Sequence, residues 1–247
     1  MDHDPWRAAI IVERKDAKYM DTGIQRLRAA GFEHIHVMAA KGVTISKLYQ
    51  PLSHQADEWV DGYSLWRGAI ELLGQIYGAR SELFLLTRPN FHFWGSLMHY
   101  CETTIDPRFI GVWSPYTPNR VFPSSPQPRP VCSGGDIEQL GRFGWCPTQI
   151  NSDASIADCM LLTSHMLTLV KEYLPQQSEG GTVGSAMAAA LARQKIPFYY
   201  HIPSLVNTDE HTLEANDFVG VTFNFPRQEM VAANRILEPA IRGRKKR

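Results

Sequence analysis

A chain of 247 residues, 44% hydrophobic and 20% charged, has ordinary globular composition and is long enough to bury one large core. Its 25 basic and 25 acidic residues cancel, so bulk charge gives no case for nucleic-acid or membrane-surface binding. No run approaches the ~18 apolar residues of a membrane span, and MDHDPWRAAI lacks a basic stretch leading into an apolar one, so a cytoplasmic location is expected.

Residues 8–12 (AAIIV) are a β-branched apolar run that predicts a buried strand. Ile24, Leu27 and Ala30 then recur at helical spacing over 23–30, and Gly31 supplies the stop. The run HIHVMA at His34–Ala39 predicts a second strand. Strand, helix and strand within about thirty residues make a βαβ unit, hence a sheet that begins parallel. Across 59–77, Trp66, Ile70, Leu73 and Tyr77 share one helical face, which reads Trp66 as core. Strands follow at 82–86 (ELFLL) and 109–114 (FIGVWS).

Six prolines between Pro115 and Pro130 predict an irregular stretch over 116–144, of a length usually found in lids. Helices are expected over 156–174 and 183–194, and strands over 197–201 and 218–225. Tyr199 and Tyr200 alternate, so one faces the core. His99, His165 and His201 stand in apolar stretches and read as core or boundary histidines. Cys101, Cys132, Cys146 and Cys159 lack the close ligand pair of a zinc site and read as free thiols. The tail 242–247 (RGRKKR) reads as a solvated terminus. With no repeat and no composition break, residues 1–247 are expected to form a single domain. Its class is α/β, a three-layer sandwich around a mostly parallel central sheet.

Taken in order, IIVERK, RAAGF, HIHVMAA, SLWRGAIELL, ELFLLTRPN, GVWSPYTP, KIPFYYHIPSLV and NDF resemble bacterial GT-A-fold glycosyltransferases over most of residues 8–220. The resemblance implies a nucleotide-diphospho-sugar transferase fold that moves a sugar from a nucleotide-sugar to an acceptor hydroxyl. The donor would lie over the carboxyl ends of the first strands. In that family the strand matching ELFLL runs into aspartates that hold Mg²⁺ or Mn²⁺. Here Thr87, Arg88, Pro89 and Asn90 follow instead, no aspartate stands near Val183, and Asn207 follows HIPSLV where the family has a histidine.

These departures imply transfer without a conventional aspartate-bound metal and without any other cofactor. The alternative is a catalytically inactive relative that binds a nucleotide-sugar, a glycan or a protein. Donor-binding candidates are Arg14, Lys41, Arg67, Thr87, Arg88 and Asn90. Arg88 could take over the metal's electrostatic task, because a guanidinium pairs two diphosphate oxygens. A solvated loop residue for Arg14 and an ordinary surface arginine for Arg88 are the competing readings. Asp209, Glu210 and His211, the densest ionisable cluster of the second half, are the candidates for a general base. The expected partners are a nucleotide-sugar and an acceptor, with no nucleic acid. An unrelated dinucleotide-binding fold is disfavoured because no G-x-G-x-x-G follows a strand.

Overall fold

The run AAIIV becomes the central strand β1 (Arg7–Val12), and Ala8 through Val12 are fully buried. A strand covered on both faces needs a continuous apolar run rather than an alternating one, which is what these residues supply. A computed structural model of the chain describes residues 7–78, 83–93, 95, 97–106, 110–116, 144–148, 159–174, 183–202 and 205–208. Asp209, Glu210 and His211, residues 117–143 of the proline-rich stretch, the predicted strand at 218–225 and the basic tail all lie outside them.

Among the described residues the strands are β1, β2 (His34–Ala39), β3 (Ser53–His54), β4 (Leu83–Thr87), β5 (Phe91–Phe93), β6 (Val112–Ser114), β7 (Gly144–Thr148), β8 (Cys159–Thr163), β9 (Phe198–Ile202) and β10 (Val206–Thr208). Eight of them form one sheet in the order β3-β2-β1-β4-β8-β6-β9-β7, and β5 pairs with β10 apart from it. β8 and β7 run against the other six, so the sheet is mixed but mostly parallel. The predicted strands at 8–12, 34–39 and 82–86 lie side by side, as β1 flanked by β2 and β4.

Helices are α1 (Met20–Ala29), α2 (Tyr63–Tyr77), α3 (Leu97–Thr104), α4 (Ser164–Tyr173) and α5 (Val183–Gln194). Arg7 and Ile10 of β1 point to opposite faces. Gly23 of α1 meets Ile10, while Tyr77 of α2 meets Arg7 and Phe84, so α1 and α2 cover the two faces and three layers result. Trp66, Ile70, Leu73 and Tyr77 are all buried under α2, as their spacing predicts. Gly31 takes a φ of 101° after α1, a left-handed conformation that glycine adopts without steric cost.

Three expectations need correction. α2 begins at Tyr63 rather than at Trp59, because Trp59 folds back until its indole lies against Gly68, where a Cβ would collide with it. The helix expected over 156–174 is a strand, β8, followed by α4. CMLLT is buried on both faces between β4 and β6, and an apolar run that short suits either a buried strand or a helix. The boundary is set by Thr163, whose Oγ1 accepts from the Met166 amide as a helix cap. His99 and His165 are exposed, whereas His201 is buried against Tyr100, its Nε2 2.8 Å from the Tyr100 hydroxyl. Tyr200 faces the core and Tyr199 is half-buried, in line with their alternation. Cys101 and Cys159 are buried free thiols. Among the described residues no helix is long and apolar enough to cross a membrane.

Candidate functional site

Parallel strands present their carboxyl ends together, and the loops leaving them converge on one edge of the sheet. Here that edge carries Glu13 and a 3-10 turn (Arg14–Tyr19) after β1, Lys41 after β2, and Arg88 after β4. The backbone joins the first two ends, with the Ala40 amide donating to Val12 O at 3.0 Å.

Arg14 and Lys41 form one small group. Arg14 Nε donates to the carbonyl of Lys41 at 2.9 Å, and the Arg14 amide donates to Asp61 Oδ1 at 3.1 Å. Each side chain also has an acidic neighbour: Arg14 Nε lies 3.7 Å from Asp61, and Lys41 Nζ 3.2 Å from Asp57. Both cations are more than half exposed. Exposed pairs of this kind contribute about 0–1 kcal/mol, so an anionic ligand can exchange with them at little cost.

Arg88 is in a different situation. Its Nη2 donates to Glu13 Oε1 at 2.6 Å, and its Nε lies 3.9 Å from Asp16 Oδ2, longer than a hydrogen bond. Both carboxylates are buried, and Arg88 is only one-fifth exposed. Burial pushes the Glu13 carboxyl up, but the Arg88 guanidinium, its hydrogen bond and Lys15 at 3.3 Å outweigh burial and leave it below the ordinary range. The three side chains therefore form a buried ionic cross-link between the ends of β1 and β4.

Thr87 is fully buried at the end of β4, with Oγ1 donating to the Arg88 carbonyl at 3.2 Å. Asn90 is buried in the turn before β5. That turn is pressed against α1: a Cβ on Gly23 would lie 2.6 Å from the Pro89 carbonyl oxygen. Arg67 is placed elsewhere, on the side of α2 that faces α4, bonded to Glu71 at 3.3 Å, and Glu71 in turn meets Lys171 at 3.6 Å. The structure thus gathers Arg14 with Lys41, and Thr87 with Arg88 and Asn90, but sets Arg67 in another group. Thr208, the last described residue before the Asp209, Glu210 and His211 candidates, pairs with Phe91, next in sequence to Asn90.

Glu13 and Asp16 are the site residues that sequence reasoning misses. They sit in the polar run 13–18, which reads as solvated, and only the meeting with β4 buries them. The metal-binding aspartates implied by the family resemblance have no counterpart after β4. The nearest buried carboxylates already face a guanidinium, a donor set that does not fit a divalent ion. Among the described residues no group of three or more His, Cys, Asp or Glu side chains could hold a metal.

No protein-family model matches the chain, and no curated protein matches it. Solved structures of similar shape include a chain assigned as a glucose-1-phosphate thymidylyltransferase from Bacillus anthracis, in complex with a sucrose. It is 9% identical, has a TM-score of 0.46, and the match covers 91% of this chain and 98% of that one. Another is the inositol-1-phosphate CTP transferase from T. maritima, 10% identical with a TM-score of 0.42, covering 94% of this chain and 97% of that one. Both are described as transferases of nucleotidyl groups rather than as glycosyltransferases, and likeness at this level assigns no activity to this chain.

Proposed function

We propose that the chain binds a nucleotide-sugar across the carboxyl ends of β1, β2 and β4 and transfers its sugar to an acceptor hydroxyl without an aspartate-bound metal. The observation that carries this reading is the junction of Arg14 and Lys41: two exposed cations at neighbouring strand ends, with Arg14 Nε donating to the Lys41 backbone carbonyl at 2.9 Å. Their existing ion pairs are weak, so a diphosphate can take both side chains while Asp57 and Asp61 turn to water. Thr87 and Asn90 stand buried beneath the β4 side. Asp209, Glu210 and His211 remain the proposed source of a base for the acceptor hydroxyl.

A second reading, a binding module without transfer, is favoured by one specific feature. Arg88, the residue in the place of the family's metal ligands, is engaged by Glu13 and Asp16. Catalysis by Arg88 would require the diphosphate to compete with two buried carboxylates for it.

Calorimetry with a nucleoside diphosphate in EDTA and then in Mn²⁺ tests the binding site, and Arg14→Ala and Lys41→Ala test its location. Binding in EDTA is expected, weakened on the order of tenfold by either substitution, as for loss of one exposed charge-assisted contact. Affinity that requires Mn²⁺ would overturn the metal-free reading, and absence of binding in both conditions would remove the site. Release of free sugar or a glycosylated acceptor, followed by mass spectrometry, separates a transferase from a binding module.

A further inference from the structure

Away from the candidate site, four polar side chains form a hydrogen-bonded chain inside the sheet edge. Arg7 Nη1 donates to the Tyr77 hydroxyl at 3.1 Å, that hydroxyl lies 2.9 Å from His36 Nε2, and His36 Nδ1 lies 3.1 Å from His54 Nε2. The two imidazoles also stack, with centroids 5.4 Å apart and planes 24° from parallel. His36 is 4% exposed. The chain crosses from β1 through α2 and β2 to β3, the edge strand.

An arginine can only donate, so Tyr77 accepts from Arg7. The hydroxyl keeps a second lone pair as well as its own proton, so two proton arrangements fit: Tyr77 O–H donates to His36 Nε2 and His36 Nδ1–H to His54 Nε2, or both bonds run the other way, and in each one proton lies between the two rings. Both histidines are then neutral and each of these nitrogens has one role. Protonation of both rings would set two N–H groups against each other at 3.1 Å and place a second cation near Arg7. Among the described residues the groups facing His36 offer no compensating anion: Arg7 from β1, His34 on its own strand, His54 from β3 and Tyr77 from α2. Burial and these neighbours accordingly hold His36 down at about 4, and burial lowers His54.

What the pair holds is slight. β3 is two residues long and meets β2 at only two positions, Val37 with Ser53 and Met38 with His54. It is preceded by the 3-10 turn Lys47–Leu52, in which Leu48 is 82% exposed. Residues after β3 have separate anchors, since Gln55 Nε2 donates to the carbonyls of Ala40 and Val43 and the Lys41 amide donates to the Trp59 carbonyl.

We propose that the His36–His54 pair is an acid-sensitive clasp: neutral, it fastens β3 and the turn before it to the sheet edge, and protonated, it releases them. The released segment belongs to the connection between Lys41 and α2, whose later residues Asp57 and Asp61 meet the cations of the candidate site. The clasp itself does not depend on what binds there.

Hydrogen exchange read by mass spectrometry on the full chain at about pH 7.5 and about pH 4.5, corrected for intrinsic exchange, tests the proposal. Protection over 47–54 is expected to fall on the order of tenfold or more at the acid pH while residues 8–12 stay protected. His54→Gln, which keeps a hydrogen-bonding side chain but cannot take up a proton, is expected to remove the pH dependence. Unchanged protection in the parent chain overturns the clasp. So does an equal acid response in His54→Gln, or exchange of 8–12 as fast as that of 47–54 at the acid pH.

Discussion

Replacing Arg88 by methionine removes the only cation that meets both Glu13 and Asp16 in the described contacts, while keeping an unbranched apolar stem in place. Breaking a buried pair by deleting one partner typically costs about 3–5 kcal/mol, because the remaining charge keeps its desolvation penalty. Two features reduce that figure here. Arg88 is one-fifth exposed, and Lys15 still lies 3.3 Å from Glu13. A loss of about 3 kcal/mol is therefore expected, which at a urea slope of roughly 3 kcal/mol/M lowers the midpoint by about 1 M.

The pH profile distinguishes this cause from simple loss of packing. In the parent chain the Glu13 carboxyl is held below its unfolded value, so its contribution is present above the unfolded value and is lost as pH falls through the folded one. Without Arg88, burial becomes the larger influence and the folded value rises. A carboxyl with a raised folded value favours the native state at low pH and loses that contribution as pH rises through it. The deficit of Arg88→Met should thus be largest near neutrality and shrink toward about pH 4. Adding Glu13→Gln should recover at least half of the neutral-pH loss, since a neutral amide pays far less for burial. A loss under about 1 kcal/mol, or one that is flat with pH, would show that water already screens the cluster as it does a surface pair.

Three further outcomes follow from the geometry. Gly23→Ala should destabilise by about 1–3 kcal/mol in urea titration, because its Cβ would sit 2.6 Å from the Pro89 carbonyl and 2.8 Å from Ile10 Cδ1; this outweighs the up to ~1 kcal/mol that alanine gains as a helix former. His36 is held at about 4 in the folded chain against an ordinary value near 6.5, so the unfolded chain takes up a proton first on acidification; stability should drop by about 3 kcal/mol between about pH 6.5 and pH 4, and His36→Gln should flatten that slope in chemical denaturation. Cys101 is fully buried, and burial, Cys159 and Glu102 push its thiol well above the ordinary range; peptide mapping after iodoacetamide should find it unmodified in the native chain and alkylated in urea.

Local pattern made much of the architecture legible. AAIIV and HIHVMA could serve only as buried strands, and the run Trp66, Ile70, Leu73, Tyr77 fixed which face of α2 turns inward. β8 was not legible, because CMLLT has no alternation and runs straight into a helix whose own pattern absorbs it. What separates them is the cap at Thr163, a signal carried by one hydroxyl. Trp59 misleads for a related reason: it fits the helical period of α2 in sequence, yet in space its indole packs on Gly68 from outside the helix.

At the candidate site, legibility depended on whether a residue's environment is local. Arg14 and Lys41 follow directly from strand ends, so knowing the strands was enough to place them together. Glu13 and Asp16 lie beside Arg14 in the same polar run, yet they have the opposite fate, because the 3-10 turn after β1 directs them toward β4 while Arg14 turns to β2. Charge inversion between neighbours of this kind separates two tasks. The buried acids and Arg88 lock the strand ends against each other, and the bases Arg14 and Lys41 stay exposed. A ligand that recruited Arg88 would have to take its guanidinium from two buried carboxylates, leaving Glu13 with Lys15, at a cost of several kcal/mol, whereas recruiting Arg14 and Lys41 gives up only two solvated pairs. On that comparison the phosphate contacts we propose fall to the ends of β1 and β2, and Arg88 serves the frame beside them.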